Sequence, residues 1–178
     1  QIVQAFMIPA ITRVGELYEK RRYFLPQLLS SAEAMKKGLG LLEPELRARG
    51  EKRESRGRIV LATVQGDIHD IGKNIVSLLL ENQGFEVIDL GKDVSAERIV
   101  AEIRRTRPFL TGLSALMTTT MTRMDEVIGK ARAEGIDCPF LVGGAVLTPS
   151  YARSIGARYA RDGVGAVRAA EEILSERS

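Results

Sequence analysis

The chain has 178 residues, of which 44% are hydrophobic and 28% charged, so it can bury a core and is not a disordered chain. One cysteine, Cys138, excludes a disulfide framework and a Cys-rich zinc site, and no apolar run reaches the ~18 residues of a membrane-spanning helix. The net charge of +3 is mildly basic and too weakly patterned to argue for nucleic acid.

Gln1-Ile2-Val3-Gln4 lacks a basic-then-apolar leader pattern, so a cytoplasmic protein is expected, with neither nucleic acid nor membrane as a partner. The chain does not begin with Met, which fits an excised fragment of something longer or a trimmed chain.

Residues 1–49 read as helical. Apolar residues recur at gaps of three and four through Ile11, Val14, Leu17 and Tyr18, then Leu25, Leu28, Leu29, Ala32 and Met35, then Leu39, Leu42 and Leu46. Pro9, Pro26 and Pro44 fit helix starts. Three or four short helices in a small bundle are expected. Residues 50–58, GEKRESRGR, are charged and without periodicity; they read as a solvated linker or equally as a frayed helix end.

From residue 59 the rhythm changes. Strands are predicted at 59–64, 85–90, 110–116, 139–142 and 158–160. Helices are predicted at 71–83, 95–105, 118–134, 149–155 and 163–176, with Ser95 as a cap and Gly84, Gly135 and Gly156 as stops. Strict β-α alternation implies a doubly wound parallel sheet of five strands, of the flavodoxin-like or Rossmann-like group. The expected organisation is a helical cap (1–49), a linker (50–58) and an α/β domain (59–178).

Ligands of such sheets sit at the carboxyl ends of the strands. The first strand-to-helix loop, Gln65-Gly66-Asp67-Ile68-His69-Asp70-Ile71-Gly72, matches neither G-x-G-x-x-G nor G-x-x-x-x-G-K-[ST]. It holds the chain's one histidine. A lone histidine is most often a surface or satisfied core residue, but three features set this one apart. It lies in a ligand-bearing loop. Asp67, two residues before it, can accept the Nδ1 proton and leave Nε2 free for a metal. Gly66 and Gly72 let a bulky ligand approach the backbone. One imidazole cannot hold a bare zinc ion, but it can be the axial ligand of a metal carried in a macrocycle.

Asp67-Ile68-His69-Asp70-Ile71-Gly72 resembles the D-x-H-x-x-G signature of cobalamin-binding domains. Ser114-Ala115-Leu116 matches the S-x-L of that family and Gly143-Gly144 its G-G, in the same order and after predicted strands one, three and four. Val14-Gly15-Glu16-Leu17-Tyr18 and Tyr23-Phe24-Leu25-Pro26-Gln27 resemble the helical cap of methionine synthases and corrinoid carrier proteins. The resemblance covers essentially the whole chain.

The resemblance implies a cobalamin cofactor bound base-off, with His69 as the lower ligand of cobalt. Asp67 would bond His69, and Thr120, where methionine synthases have Ser, would complete the relay. Ser114, Leu116 and Thr118 would line a slot for the displaced nucleotide tail. Gly143 and Gly144 would leave room for it, because a Cβ there would collide with the ring. Tyr159, Ala160 and Gly163 would close its far end. Gln65, Gly66, Ile68, Asp70, Ile71 and Gly72 would complete the cofactor contacts. Tyr18, Leu25 and Leu28 read from spacing alone as bundle core; the resemblance puts them over the upper face of the corrin, with Tyr18 where Phe is usual.

The implied function is a methyl carrier cycling between Co(I) and methyl-Co(III). Its implied partners are a methyl-donor methyltransferase, a methyl-acceptor methyltransferase and a corrinoid reactivase. No residue is assigned a catalytic role of its own. The alternatives are the cobalamin module of a methionine synthase, an adenosylcobalamin-dependent sensor or regulator, a mutase subunit, and a flavodoxin-like domain that has lost the cofactor. Three further features are expected to be bland: Thr118-Thr119-Thr120 as a helix start with one capping hydroxyl, Cys138 as a small buried residue, and Lys20-Arg21-Arg22 as a solvated turn.

Overall fold

In the computed structural model, residues 2–48 and 55–177 are described. A single π-helical turn, Val3–Met7, leads into α1 (Ile8–Glu19), and α2 (Leu25–Ala48) follows. The expected three or four short helices are therefore two. Pro9 and Pro26 sit in first turns, where no N–H is missed. Pro44 lies inside α2 and starts nothing. The stripe of Leu28, Ala32 and Met35 is buried against the body of the protein, and packing carries the helix past its glycines. The chain turns between α1 and α2 at Lys20–Phe24, with Arg21 left-handed at φ 56°. The side chain of Gln27 accepts from the Phe24 N–H at 2.7 Å.

The second part alternates without exception: β1 (Arg58–Thr63), α3 (Ile71–Asn82), β2 (Glu86–Asp89), α4 (Ala96–Thr106), β3 (Leu110–Ser114), α5 (Thr118–Ala133), β4 (Phe140–Gly143), α6 (Pro149–Ser154), β5 (Arg158–Ala160) and α7 (Gly163–Glu176). All pairings are parallel and the order is β2-β1-β3-β4-β5. Each expected element is present, with ends shifted by one or two residues. Strand three is the exception in kind: it stops at Ser114, not Leu116, because the Leu116 and Met117 N–H groups bond elsewhere.

Successive strand residues point to opposite faces. Ile59 and Leu61, Leu110, and Leu141 face α3 and α7. Ala62, Leu113, Phe140 and Val142 face α4, α5 and α6. Both faces are covered along the centre of the sheet, where β1, β3 and β4 are largely buried and mostly apolar. The cap lies on the α3–α7 side, where Ile11, Leu28, Ala32 and Met35 pack on Leu79, Ile75 and Val164.

Of the expected linker, residues 50–54 lie outside the described residues. The rest is exposed to half-buried but tethered to the α/β body. Arg58 is the first residue of β1. Arg56 bonds the Gln83 carbonyl at 3.3 Å and Glu171 at 3.0 Å, and lies 4.9 Å from the Phe85 ring centre. Charge and glycine content concealed these contacts, because the partners come from distant α3 and α7.

Candidate functional site at the sheet switch point

The strand order reverses between β1 and β3, and the loops leaving them diverge to leave a crevice. Parallel register lines up the strand ends. Thr63 pairs with Ser114, Ser114 with Gly143, and Gly143 with Ala160. One row across the sheet thus gathers the ends of three motifs that are far apart in sequence.

A cavity of about 590 Å³ opens at this row. His69, Ile68, Asp70, Ile71 and Gly72 line it from the first loop. Ser114, Leu116, Gly143, Gly144, Ala160 and Gly163 line it from the later strand ends, and Tyr18, Leu25 and Leu28 from the cap. Gln65, Gly66, Asp67, Thr118, Thr120 and Tyr159 are not on its wall. Thr118 is exposed at the start of α5, and Tyr159 packs on the opposite face of the sheet.

Asp67 is fully buried and sits behind the cavity wall. Its Oδ1 accepts from the His69 backbone N–H at 3.0 Å and lies 2.9 Å from His69 Nδ1. Its Oδ2 accepts from Leu116 N–H at 2.7 Å, Met117 N–H at 3.3 Å and the Thr120 hydroxyl at 2.7 Å. Burial is the largest influence on this carboxyl and pushes its pKa up, yet the bonds from His69, Leu116 and Thr120 together hold it well below the usual carboxylate range. An ionised Asp67 accepts a hydrogen bond from the Nδ1–H of His69, which keeps the proton on Nδ1 and leaves the Nε2 lone pair free. The His69 side chain is 47% exposed.

This carboxylate also serves α5. The N-cap position is Met117 and no hydroxyl caps the helix. The expected capping by a threonine does not occur; Asp67 instead reaches from another loop to the N–H of the N-cap residue Met117 and of Leu116 before it. Thr120 is free to bond Asp67, with its hydroxyl also 3.0 Å from the Met117 carbonyl.

The glycines do not all act as expected. A Cβ on Gly72 would meet nothing within 4 Å, so this face of α3 is open. At Gly66, φ of 82° requires glycine, and its N–H bonds Asp93 at 2.7 Å. A Cβ on Gly144 would come within 1.8 Å of the Ala115 carbonyl oxygen, and one on Gly143 within 3.1 Å of the Ala160 oxygen. The first obstacle at both is the protein's own backbone and not a bound ring.

Several wall residues escape a motif reading. Leu61, Gly112, Leu141 and Ala166 form the deep end. They are legible only once the register is known, as strand and helix positions facing the same side. Lys73 is 4% exposed, lines the cavity and pairs with Asp89 at the end of β2; its Nζ also bonds Asn74 Oδ1 at 2.8 Å. Its signal was a lysine one residue after Gly72 in an otherwise apolar helix start.

Among the described residues no group of three His, Cys, Asp or Glu gathers, so a bare metal ion has no cage here. A metal at His69 must bring its other ligands with it. The surroundings suit such a group: Ile68, Ile71 and Leu116 are large apolar side chains left exposed around the imidazole. A broad apolar disc laid on His69 would cover them, and the cavity beside it would take an appendage. No helix among the described residues is long and apolar enough to cross a membrane.

An imidazole oriented by a buried carboxylate, at the switch point of a parallel sheet and under a helical cap, defines a macrocycle-binding α/β protein. The chain belongs to the B12 binding domain family, whose model matches residues 57–175; a second model, also described as a B12 binding domain, matches residues 1–43. It is 42% identical over 178 residues to a corrinoid protein of Desulfitobacterium hafniense, covering 98% of this chain and 82% of that one. It is 40% identical over 177 residues to dimethylamine corrinoid protein 2 of Methanosarcina acetivorans, with the same coverage. The methanol:cobalamin methyltransferase complex of Methanosarcina barkeri contains a similar structure, with TM-score 0.87 and 32% identity, covering 98% of this chain and 67% of that one.

Proposed function

We propose that this chain is a corrinoid methyl carrier: it holds cobalamin with the nucleotide base displaced and His69 Nε2 on cobalt, and it serves methyltransferase partners. The observation that carries the reading is the pairing of His69 Nδ1 with buried Asp67 at 2.9 Å on the wall of a cavity that reaches from cap to sheet. When bound, the corrinoid supplies a cobalt that accepts a methyl group and gives it up.

The chain's own residues hold and shield that group. Asp67 keeps the His69 proton on Nδ1 and aims Nε2 outward. Thr120 and the Leu116 and Met117 N–H groups hold Asp67 ionised, so the imidazole stays a good donor. Ser114, Leu116, Gly143, Gly144, Ala160 and Gly163 surround the displaced tail. Tyr18, Leu25 and Leu28 cover the upper face and keep water from it. Gln65 and Gly66 shape the loop, while Thr118 and Tyr159 lie off the wall.

The proposed division is a cap through residue 49 and a cobalamin-binding unit from 59, joined by 50–58. A corrinoid reactivase and a cytoplasmic setting complete the reading, the latter supported by a single buried cysteine and no disulfide. Direct roles for the protein in chemistry are not needed: it positions, and partner enzymes supply donor and acceptor.

The test is EPR of the Co(II) form bound to ¹⁵N-labelled protein, beside His69→Ala. The expected result is an axial-nitrogen splitting that changes with the label and disappears in the variant. A wild-type protein that takes up no cobalamin, or one whose axial nitrogen ignores the label, overturns the reading.

A further inference from the structure

The deep end of the cavity has a chemical character of its own. Its wall is Leu61, Val76, Gly112, Leu141, Ala160 and Ala166, apolar or side-chain-free positions between the sheet and the α3–α7 pair. Leu61, Leu141, Ala160 and Ala166 are buried. The polar residues stand elsewhere or are already engaged. Lys73 is paired with Asp89, and Asp162 Oδ1 accepts from Gly165 N–H at 2.8 Å as the cap of α7. Arg161 is exposed at the rim. The Ser114 hydroxyl, at the strand-end row where the cavity opens, is the single polar side-chain group on the strands that line the slot.

We infer that this slot selects among corrinoids by the base of the nucleotide tail, accepting arene-like bases with few hydrogen-bonding atoms and rejecting purines. The inference rests on the proposed function, since it concerns where the displaced tail goes. An adenine brings an exocyclic amine and several ring nitrogens. In water each is bonded; the strands that line this slot offer them one side-chain hydroxyl. Each polar atom stranded in a buried apolar site costs about a factor of 10 to 100 in affinity. An apolar base loses nothing on entry and gains by burial. The asymmetry matches other pockets in which a polar analogue without partners is turned away.

The geometry also says what would relax the selection. Ala166 is in the first turn of α7 and Ala160 is the last residue of β5, both facing the slot. A serine at either adds one hydroxyl with little added volume. It should help a purine and do nothing for an arene. Ser114 already stands at the row shared with Gly143 and cannot serve both ends.

The experiment compares three cobalt(II) corrinoids by visible-spectrum titration: p-cresolyl cobamide, adeninyl cobamide, and cobinamide, which has no base. Cresol offers cobalt no nitrogen and adenine is a weak ligand, so neither must break a strong base–cobalt bond to bind. The expected order is p-cresolyl cobamide tightest, with adeninyl cobamide weaker by at least about tenfold. Ala160→Ser or Ala166→Ser should narrow that ratio severalfold. Equal or tighter binding of the adeninyl form overturns the inference while the carrier reading stands. A ratio that neither serine variant moves also overturns it. If none of the three corrinoids binds, the proposed function itself falls, and the two failures are told apart.

Discussion

The floor and the roof of the cavity are held by different forces. The floor is polar and directional: Asp67 accepts from two backbone N–H groups of the β3–α5 loop, from the backbone and ring of His69, and from Thr120. The roof is held mainly by apolar contact of Ile11, Leu28, Ala32 and Met35 with α3 and α7. Directional contacts supplement it, among them Asn82 Nδ2 to the Ala32 carbonyl at 2.9 Å and Lys36 to Glu81 at 2.8 Å. A network of short hydrogen bonds fixes the position of one atom. Apolar burial has no preferred direction and tolerates sliding. The floor suits a ligand atom that must stay in place, and the roof suits a cover.

The severest way to break the contrast is Asp67→Ala. Several donors lose their acceptor at about 1–3 kcal/mol each, and water entering the gap recovers part, so a loss of roughly 3–5 kcal/mol is expected. Urea unfolding measures it. A loss under about 1 kcal/mol would mean that the floor is held by something other than this carboxylate.

Leu28→Ala attacks the roof instead. Leu28 is buried in the cap-to-body cluster and lines the cavity. Truncation should cost about 2–4 kcal/mol, from lost burial and the space left behind. The damage should stay local. Hydrogen exchange in α1 and α2 should speed up, while β1, β3 and β4 amides keep their protection. Equal acceleration in both parts would show that cap and sheet unfold as one unit.

What could be read in advance divides along the same line. The sheet was legible because its central strands are short, mostly apolar runs between turn signals, and such runs have few alternatives. The motif residues His69, Ser114 and Gly143 were legible because topology forces strand ends together. The cap was less so. Its periodic stripe fits a new helix starting at Pro44 as well as one continuous helix, and only the structure shows the latter. The residues that build the deep slot, Leu61, Gly112 and Ala166, carry no local sign at all. They become a site only through register. Thr120 was placed in the relay by resemblance, and its bond to Asp67 is in the structure; that Asp67 also holds the Leu116 and Met117 N–H groups had no sequence signal, because the partners are 49 and 50 residues apart.

A subtler cut at the floor is Thr120→Val, which keeps the shape and removes one donor to a charged group. About 2 kcal/mol should be lost. Thr120→Ser should recover most of it, which separates the hydroxyl from the methyl. If Val and Ser behave alike, packing and not the bond to Asp67 is what the position supplies.

The smallest effect is expected at Asn82, and its smallness is the point. Asn82 is almost fully buried where α3 meets α2. Its Nδ2 reaches the Ala32 carbonyl, but its Oδ1 is buried with no hydrogen-bond partner. The gain from one bond is therefore offset by one stranded acceptor. Asn82→Leu, nearly the same shape, removes both. The Ala32 carbonyl lies within α2 and keeps its place in the helix. Replacing a half-satisfied polar group with an apolar one of similar shape is close to neutral, so a change within about 1 kcal/mol of the parent is expected, toward stability if either way. A loss above about 2 kcal/mol would place a directional bond at the heart of the roof as well, and the contrast with the floor would disappear.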